Sequence, residues 1–371
     1  MYKTLPGGGN MKNSINSEKK IPVQFVTHNG KFHADEVMGT SILMIWYNLF
    51  LKDSFEVKVI RTDNPSPYVD DHISIIYDIG GGCFDHHQKE VRVRENGVPY
   101  ASAGLLWAEY CRGAVYGVIK DVVDDLGNDE RSDLITAVCN YVDKFLIQGI
   151  DAADNGKAAP AIVSIMDGKN QETGSMTSLT TISDIVSNMN QGWCFEEIPA
   201  DARFAEAVDL CTSVLVNEIQ RATSVLLAQK TVNDAIHGRK YRRVLVLDKY
   251  MPWISTMLAN EEAADIWYCI FPSARKKGHW QMQAVPSDLV TKEQRHPVPT
   301  EWWAATAETM PGITGVAEAE FCHKFGFLSG ATTLDGMMKL AQLACAAGDP
   351  FKEEMELYVP ASSTTSEYKE V

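Results

Sequence analysis

Strand-like and helix-like segments alternate along the first 155 residues of this chain, and that alternation restricts the fold more than any other feature. The strands are expected at residues 23–27, 56–61 and 73–79, and the helices at 35–51, 103–116 and 132–148. Ser102 is expected to cap the second of these helices. Such alternation is typical of an α/β fold with a mostly parallel sheet covered by helices. Ligands of such sheets gather beyond the carboxyl ends of the strands.

The second half of the chain has a different pattern, and 371 residues are enough for two domains. Short strands are expected at 242–247, 266–271 and 279–285, with a closing helix at 333–346. They predict a smaller α/β or α+β domain. The expected organisation is a disordered tail at 1–20, a first domain at 21–199, a helical connector at 200–240, a second domain at 241–350 and a disordered tail at 351–371.

Charge and composition limit the classes of function. The net charge of −15 argues against a general affinity for nucleic acid or acidic membranes. Positive charge is nevertheless concentrated at residues 239–243 and 275–277, which form either a solvated surface or a local groove. The eight cysteines are scattered without a Cys-x-x-Cys pair, which predicts reduced cysteines of an intracellular protein. No apolar stretch reaches transmembrane length, so no membrane partner is expected.

A cluster of metal-binding side chains follows the third predicted strand. That strand ends near Asp78, three glycines allow a sharp turn after it, and Asp85, His86 and His87 come next. Aspartate and histidine are both strong ligands for cations. This segment therefore predicts a cation site at a strand end, which other parts of the chain must complete.

Two other loops of the first half offer further ligands. His28 ends the first predicted strand, and His33 and Asp35 lie at the start of the next helix, where Asp35 is also a plausible helix cap. Asp151 and Asp154 lie in a predicted loop that follows the third helix. Each piece alone is weak, but an open α/β sheet brings such element ends together.

The ligand types indicate the chemistry. Carboxylates and imidazoles without sulfur suit Mn²⁺, Mg²⁺ or Fe²⁺, and the imidazoles favour Mn²⁺. Two such ions need a shared carboxylate, for which Asp78 is the central candidate. Paired cations about 3.5–4 Å apart are suited to phosphoryl chemistry. Hydrolysis of a phosphate ester or anhydride is the expected reaction class.

These segments resemble the melanocyte-proliferating-gene (Myg) family of the DHH phosphoesterase superfamily. The similarity covers about residues 21–347. Its motifs in the first half are Thr27-His-Asn-Gly-x-Phe-His-x-Asp-Glu36, Ile60-Arg-Thr62, Asp78-Ile-Gly-Gly81, Asp85-His-His-Gln88, Ser102-Ala-Gly-Leu105 and Asp151-Ala-x-Asp-Asn-Gly156. In the second half they are Pro252-Trp253, Trp280-Gln-x-Gln-x-Val-Pro286 and Cys322-His-x-x-Gly-Phe-x-x-Gly330.

The resemblance implies a role for each matched residue of the first domain, which would be a DHH-like catalytic domain. One metal would be held by His28, His33 and Asp78, and a second by Asp35, Asp78, His86 and Asp151. His87 would donate a proton or a hydrogen bond to the scissile phosphate or leaving oxygen. Beside these ligands, Asp85 itself is expected to orient a histidine. Asp154 competes with Asp151 for the fourth-loop position.

The resemblance also implies the substrate and its binding segment. Family members are 3′→5′ exoribonucleases associated with nucleus and mitochondria, which implies single-stranded RNA and two metal ions, Mn²⁺ or Mg²⁺. His323, Gly326 and Gly330 resemble a glycine-rich substrate-binding segment, or else mark a tight turn before the closing helix. Arg295 is a candidate phosphate contact, and Phe327, Trp302 or Trp303 could stack on a base. The alternatives are hydrolysis of short oligonucleotides or of a pyrophosphate-like anhydride, and a non-catalytic RNA-binding assembly factor.

Overall fold

A computed structural model describes residues 20–50, 55–158, 162–166, 172–195, 197–288 and 291–347 of the chain. The two predicted tails lie outside these residues, apart from Lys20. The described residues fall into two compact units, one within residues 1–162 and 178–219 and the other within 163–177 and 220–371. No helix in the described ranges is both long and apolar enough to cross a membrane.

The first unit is built on a parallel sheet whose strand order is β2-β1-β3. The strands are β1 (Ile21–His28), β2 (Phe55–Thr62) and β3 (Ser74–Ile76). Strand β1 is central, because all of its residues pair with β2 on one side and Gln24–Val26 pair with β3 on the other. The ends of these parallel strands therefore meet at one edge of the sheet.

Helices follow these strands as the alternation predicts. They are α1 (Ala34–Ile45), α2 (Ser102–Val123), α3 (Asn128–Val142), α4 (Gln148–Asp154) and α5 (Ile182–Asn188). Apolar residues of α1 and α2 at helical spacing, such as Val37, Ile42 and Leu106, are fully buried. Single π-helical turns at Trp46–Phe50 and Asp143–Ile147 follow α1 and α3. Strands β4 (Ile162–Met166) and β5 (Glu172–Ser178) pair with each other.

The segment over 200–240, predicted as a helical connector, contains a single helix, α6 (Ala200–His237). Its residues up to Ile219 belong to the first unit and those from Gln220 to the second. Apolar residues recur along it at helical spacing and are buried, including Cys211, Leu215, Val232 and Ile236.

The second unit contains a mixed sheet of strand order β6-β7-β8-β10-β9, in which β6 and β7 are parallel and the other pairs antiparallel. Its elements are β6 (Val244–Val246), α7 (Ile254–Ala259), β7 (Tyr268–Pro272), β8 (Trp280–Ala284), α8 (Met310–Thr314), β9 (Ala319–Cys322), β10 (Leu328–Ala331) and α9 (Leu334–Ala346). Thr333 caps α9 by accepting a hydrogen bond from the Gly336 backbone N–H. The α/β fold class that the alternation predicts is confirmed.

Candidate metal centre

A cavity of about 520 Å³ opens at the carboxyl edge of the sheet in the first unit. His28 is the last residue of β1, and Asp78 lies two residues beyond β3. Because β1 and β3 are parallel neighbours, these two side chains meet at the same edge. The cavity is lined by His28, His33, Asp78, His86, His87, Ala153 and Asp154.

Asp78 is the centre of the site. Its Oδ2 lies 3.3 Å from His28 Nε2, and its Oδ1 lies 3.2 Å from His86 Nε2. Burial by itself would raise the pKa of Asp78, but the hydrogen bonds from the two histidines outweigh it and lower that pKa to about 2. One carboxylate therefore bridges two imidazoles, as a ligand shared by two cations would.

The first group of potential ligands consists of His28, His33 and Glu36. His28 Nε2 lies 2.9 Å from Glu36 Oε1, and the His33 backbone N–H donates to the same oxygen at 2.9 Å. Hydrogen bonds to Asp78 and then Glu36 raise the pKa of His28 to about 11. Glu36 Oε2 is buried without a hydrogen-bond partner in the described part of the chain, and such an oxygen is costly unless something positive meets it.

The second group consists of Asp35, His86 and Asp154. His86 Nε2 lies 3.0 Å from Asp154 Oδ2 and 3.9 Å from Asp35 Oδ2. Burial lowers the pKa of His86, but hydrogen bonds to Asp154 and Asp78 raise it to about 11. Burial and the neighbouring carboxylates, Asp78 first among them, raise the pKa of Asp35 well above its usual range. Two carboxylates thus crowd one imidazole in this group, and a bound cation would relieve the repulsion between them.

The N-terminus of α2 holds these carboxylates. The backbone N–H groups of Ser102 and Ala103 donate to the two oxygens of Asp35 at 2.9 and 2.7 Å. The Ser102 hydroxyl donates to Asp78 Oδ1 at 3.2 Å. Ala101 occupies the N-cap position, so the prediction that Ser102 caps the helix is wrong. The hydroxyl contacts a carboxylate of the site instead.

The polar residues around Asp151 and Asp154 predict a loop, and this prediction is wrong. Both aspartates belong to helix α4, which Ala152 and Ala153 favour, and they lie three residues apart on it. Asp151 is fully buried and its Oδ2 lies 2.7 Å from Arg94 Nη1, while its Oδ1 accepts from the Gly104 backbone N–H at 3.0 Å. Burial raises the pKa of Asp151 to about 6 against the opposing effect of Arg94. The structure therefore brings Asp154, not Asp151, against His86, while a ligand role for Asp151 stays a prediction.

The three side chains of the Asp85-His86-His87 segment have different contacts. Asp85 accepts from the backbone N–H groups of Gly81 at 2.7 Å and His87 at 3.0 Å, and its Oδ1 lies 2.9 Å from His87 Nδ1. The His87 side chain is 63% exposed and lines the cavity. Asp85 thus fixes the ring of His87, whereas His86 faces the carboxylates.

The residues present fit divalent cations. Three groups of imidazoles and carboxylates lie among the described residues, the third being Asp78, His86 and His87, and none of them contains sulfur. Glu36 Oε2 is buried there without a donor. Oxygen and nitrogen ligands of this kind suit Mn²⁺ and related ions. The fit rests on the imidazole nitrogens and carboxylate oxygens that face the cavity. Glu36 adds a carboxylate to the ligands that the sequence predicts.

Comparison with known proteins identifies the family. The sequence model of the MYG1 exonuclease family, described as "Uncharacterised protein family (UPF0160)", matches residues 24–345. The chain belongs to this family. The predicted Myg membership is therefore confirmed.

The family includes fungal and animal relatives of similar length. A MYG1 protein of Schizosaccharomyces pombe is 27% identical over 340 residues, which are 87% of this chain and 97% of that protein. A MYG1 protein of Saccharomyces cerevisiae is 26% identical over 90% of this chain and 98% of its own length. The human relative, named MYG1 exonuclease, is 24% identical over 89% of this chain and 88% of its own length.

The glycine-rich segment lies in a hairpin of the second unit. Gly326 is in the tight turn between the antiparallel strands β9 and β10, and Gly330 is within β10. The predicted tight turn is therefore present, but strand β10 separates it from the closing helix. A Cβ on Gly326, whose φ is +68°, would lie 2.2 Å from the Trp303 indole, and one on Gly330 would lie 2.2 Å from the Phe321 ring. Packing alone accounts for both glycines. His323 accepts from the Phe325 backbone N–H at 3.3 Å, and its substrate role stays a prediction.

Three arginines of the second unit have partners within it. Arg295 Nη1 donates to the carbonyl oxygens of Ala263 at 2.5 Å and Ile266 at 3.2 Å, so a phosphate contact for it stays a prediction. Asp265 binds both Arg239 and Arg242, at 3.0 and 2.8 Å. These arginines of the 239–243 cluster therefore have charge partners within the second unit.

Sequence reasoning missed Glu36, Arg61 and Asn190. The Asn190 amide bonds both backbone polar groups of Phe32, at 3.0 and 2.8 Å, and Arg61 Nη2 donates to the Gly30 carbonyl at 2.6 Å. Both therefore hold the loop between His28 and His33. Glu36 and Arg61 lie inside the family motifs at 27–36 and 60–62, which could have identified them, whereas nothing in the sequence marks Asn190.

Proposed function

We propose that this protein is a metal-dependent phosphodiesterase that removes nucleotides from the 3′ end of single-stranded RNA. The observation that carries the proposal is the Asp78 carboxylate between His28 and His86, at 3.3 and 3.2 Å. The names of the mammalian relatives, MYG1 exonuclease, support the nuclease activity. We propose the RNA substrate and the 3′→5′ direction from the sequence resemblance. The same resemblance supports a place in the DHH phosphoesterase superfamily and a mitochondrial or nuclear location.

The chain's residues would hold two cations, with Mn²⁺ the preferred ion. His28, His33, Asp78 and Glu36 would hold the first, and Asp35, Asp78, His86 and Asp154 the second. Bound divalent ions at such a site would supply activation of water and neutralisation of phosphoryl charge.

His87 would donate the proton or hydrogen bond to the substrate, and Asp85 would orient its imidazole ring. Asp85 holds His87 Nδ1 at 2.9 Å, which leaves Nε2 as the atom that meets the substrate. His87 lines the cavity, so its imidazole would donate a hydrogen bond or proton to the leaving oxygen. Asp85 would keep the ring oriented, because its carboxylate is itself fixed by the Gly81 and His87 backbone N–H groups.

Cleavage of labelled RNA tests the proposal. Purified protein with Mn²⁺ and 5′-end-labelled single-stranded RNA should give a ladder shortened from the 3′ end. EDTA and the variant His86→Ala should abolish the ladder. His237→Ala is the matched control, since this exposed histidine pairs with Glu262 in the second unit, and it should leave the ladder unchanged.

Three other outcomes would overturn the proposal. Products shortened from the 5′ end would reverse the direction, and binding without cleavage would favour a non-catalytic RNA-binding factor. Phosphate release from pyrophosphate, without RNA cleavage, would favour a small-anhydride hydrolase. The net charge of −15 favours small or short substrates as the second candidate, because a long RNA repels an acidic surface.

A further inference from the structure

Two large aromatic side chains of the first unit are exposed two positions apart in the sequence. Trp193 is 96% exposed and Phe195 is 75% exposed. They lie in a segment that we call the aromatic segment, residues 190–195, between α5 and α6. Aromatic rings usually bury most of their surface, and exposed apolar groups that cluster mark interaction sites.

The aromatic segment is anchored at its start. Asn190 Oδ1 accepts from the Phe32 backbone N–H at 3.0 Å, and Asn190 Nδ2 donates to the Phe32 carbonyl at 2.8 Å. The Phe195 backbone N–H closes a turn by donating to the Gly192 carbonyl at 3.2 Å. A Cβ on Gly192 would lie 2.9 Å from the Phe195 ring. The turn that carries the two rings is thus fixed to a buried residue.

That anchor lies in the loop of the candidate metal centre. Phe32 is directly followed by His33, which lines the cavity. Because consecutive Cα atoms are about 3.8 Å apart, the Trp193 Cα is at most about 11 Å from that of Asn190. The backbone turn that bears the two rings is therefore tied, through Asn190 and Phe32, to the loop that carries His33.

A cation accompanies the rings. Lys31 directly precedes Phe32, is exposed, and makes no ion pair with any residue that the structure describes. Arg61 is not available in the same way, because its guanidinium donates to Gly30 and lies 4.7 Å from the Phe204 ring. One exposed lysine therefore adjoins Phe32, the residue to which the aromatic segment is anchored.

We propose that Trp193 and Phe195 form a stacking surface for unpaired nucleobases of the substrate, with Lys31 meeting a phosphate. This inference rests on the proposed nuclease function and names how the strand is held. Stacking needs no net positive charge, which suits a chain whose net charge is −15. A double helix would hide its base faces, so the surface selects single strands.

Binding without cleavage tests the inference. A fluorescein-labelled RNA 12-mer and the same strand with abasic sites at all positions are titrated with protein in EDTA, so that metal chemistry plays no part. Trp193→Ala and Phe195→Ala should each weaken binding of the RNA about tenfold and leave binding of the abasic strand unchanged. Trp193→Phe should retain most of the affinity. Lys31→Ala should weaken both strands equally.

The control is Phe145→Ala, which removes another ring of the first unit that is 57% exposed and should change neither affinity. The inference fails if Trp193→Ala binds RNA like the wild type, or if it weakens the abasic strand as much as the RNA. It also fails if Trp193→Ala alters only the molecular mass in solution, since the rings would then contact a second copy of the chain.

The outcomes separate this inference from the proposed function. Calorimetric titration with Mn²⁺ reports the metal centre in the absence of any aromatic ligand, and Trp193→Ala should bind Mn²⁺ with the affinity of the wild type. If the wild type shortens RNA from the 3′ end but Trp193 has no effect on binding, only the stacking surface is refuted. If the stacking effect is present but no phosphodiester is cleaved, only the nuclease proposal is refuted.

Discussion

Asp78 has a backbone conformation that few residue types tolerate. Its φ is +58°, in the left-handed region that non-glycine residues rarely adopt, although Asp and Asn enter it more readily than others. Its backbone N–H donates to the Phe84 carbonyl at 3.1 Å. Such conformations cluster at functional sites because the surroundings must hold them in place. Here the turn aims one carboxylate between two imidazoles.

The variant Asp78→Asn should separate the charge of this residue from its shape. Asn tolerates the left-handed backbone, so the fold should persist, but an amide cannot serve as a charged ligand shared by two cations. We expect kcat/KM for RNA with Mn²⁺ to fall by at least about 100-fold, since even supporting contacts around a metal cost about 10–100-fold. Activity assays with circular dichroism as the folding check would measure this. Activity within tenfold of the wild type would remove Asp78 from the centre.

The sequence alone cannot decide which of Asp151 and Asp154 is the metal ligand. The sequence identifies the segment but not the ligand, because residues three apart on a helix lie on the same face. What separates them is Arg94, a residue 57 positions earlier along the chain than Asp151, whose guanidinium binds Asp151 at 2.7 Å. A long-range ion pair of this kind leaves no local pattern. Glu36 escaped notice for the opposite reason, since a glutamate in the first turn of a helix is ordinary.

Substitutions of the two aspartates should therefore have different effects. Asp154→Asn should weaken Mn²⁺ binding at least about tenfold with little change in urea stability, because its side chain contacts His86 in the cavity. Asp151→Asn should lower the free energy of unfolding by about 3 kcal/mol, because it leaves Arg94 buried with one partner fewer. Calorimetric titration and urea unfolding would measure both. The reverse pattern would make Asp151 the ligand.

At the scale of elements, helix α2 does more than cover the sheet. The sequence predicts this helix from its apolar spacing, but not that its first N–H groups meet carboxylates that are far away in the chain. Ser102, Ala103 and Gly104 donate to Asp35 and Asp151, and the positive end of the helix dipole favours these negative groups. The helix N-terminus thus sets the spacing of the carboxylates.

Gly104 is the position at which this arrangement is most easily disturbed. A Cβ there would lie 1.9 Å from Asp151 Oδ2 and 2.8 Å from Arg94 Nη2. Gly104→Ala should therefore lower stability by about 1–3 kcal/mol, because the buried ion pair must move. Gly149→Ala is the matched control in α4, where nothing lies within 4 Å, and it should be neutral or raise stability by up to about 1 kcal/mol. Urea unfolding compares them, and equal effects would contradict the steric argument.

At the scale of the whole molecule, the secondary-structure elements can be predicted from the sequence better than the pairing of the strands or the boundaries of the two units. Apolar spacing predicted the α/β class and most helices and strands, including the parallel sheet of the first half and the closing helix α9. It could not predict that residues 163–177 fall in the second unit while 178–219 return to the first. Nor could it give the order β6-β7-β8-β10-β9, since strand pairing depends on contacts distant in sequence.

The location of the candidate ligands in one unit predicts how metal affects unfolding. All three potential ligand groups of the described residues lie in the first unit, so cations should stabilise that unit directly. At a free Mn²⁺ concentration 100 times the dissociation constant, binding adds about 2.7 kcal/mol to the free energy of unfolding. For a unit of this size that corresponds to a rise of about 5–10 °C in its melting temperature.

Differential scanning calorimetry with Mn²⁺ and with EDTA would measure the shift. We expect one part of the heat absorption to move upwards with Mn²⁺ while the part from the second unit stays in place. The Asp78→Asn variant should lose the shift, because the shared carboxylate is gone. A shift that persists in that variant would place the stabilising ion elsewhere, and no shift at saturating Mn²⁺ would refute the metal centre. A single peak that moves as a whole would show that the units unfold together, coupled through the helix α6 to which both contribute.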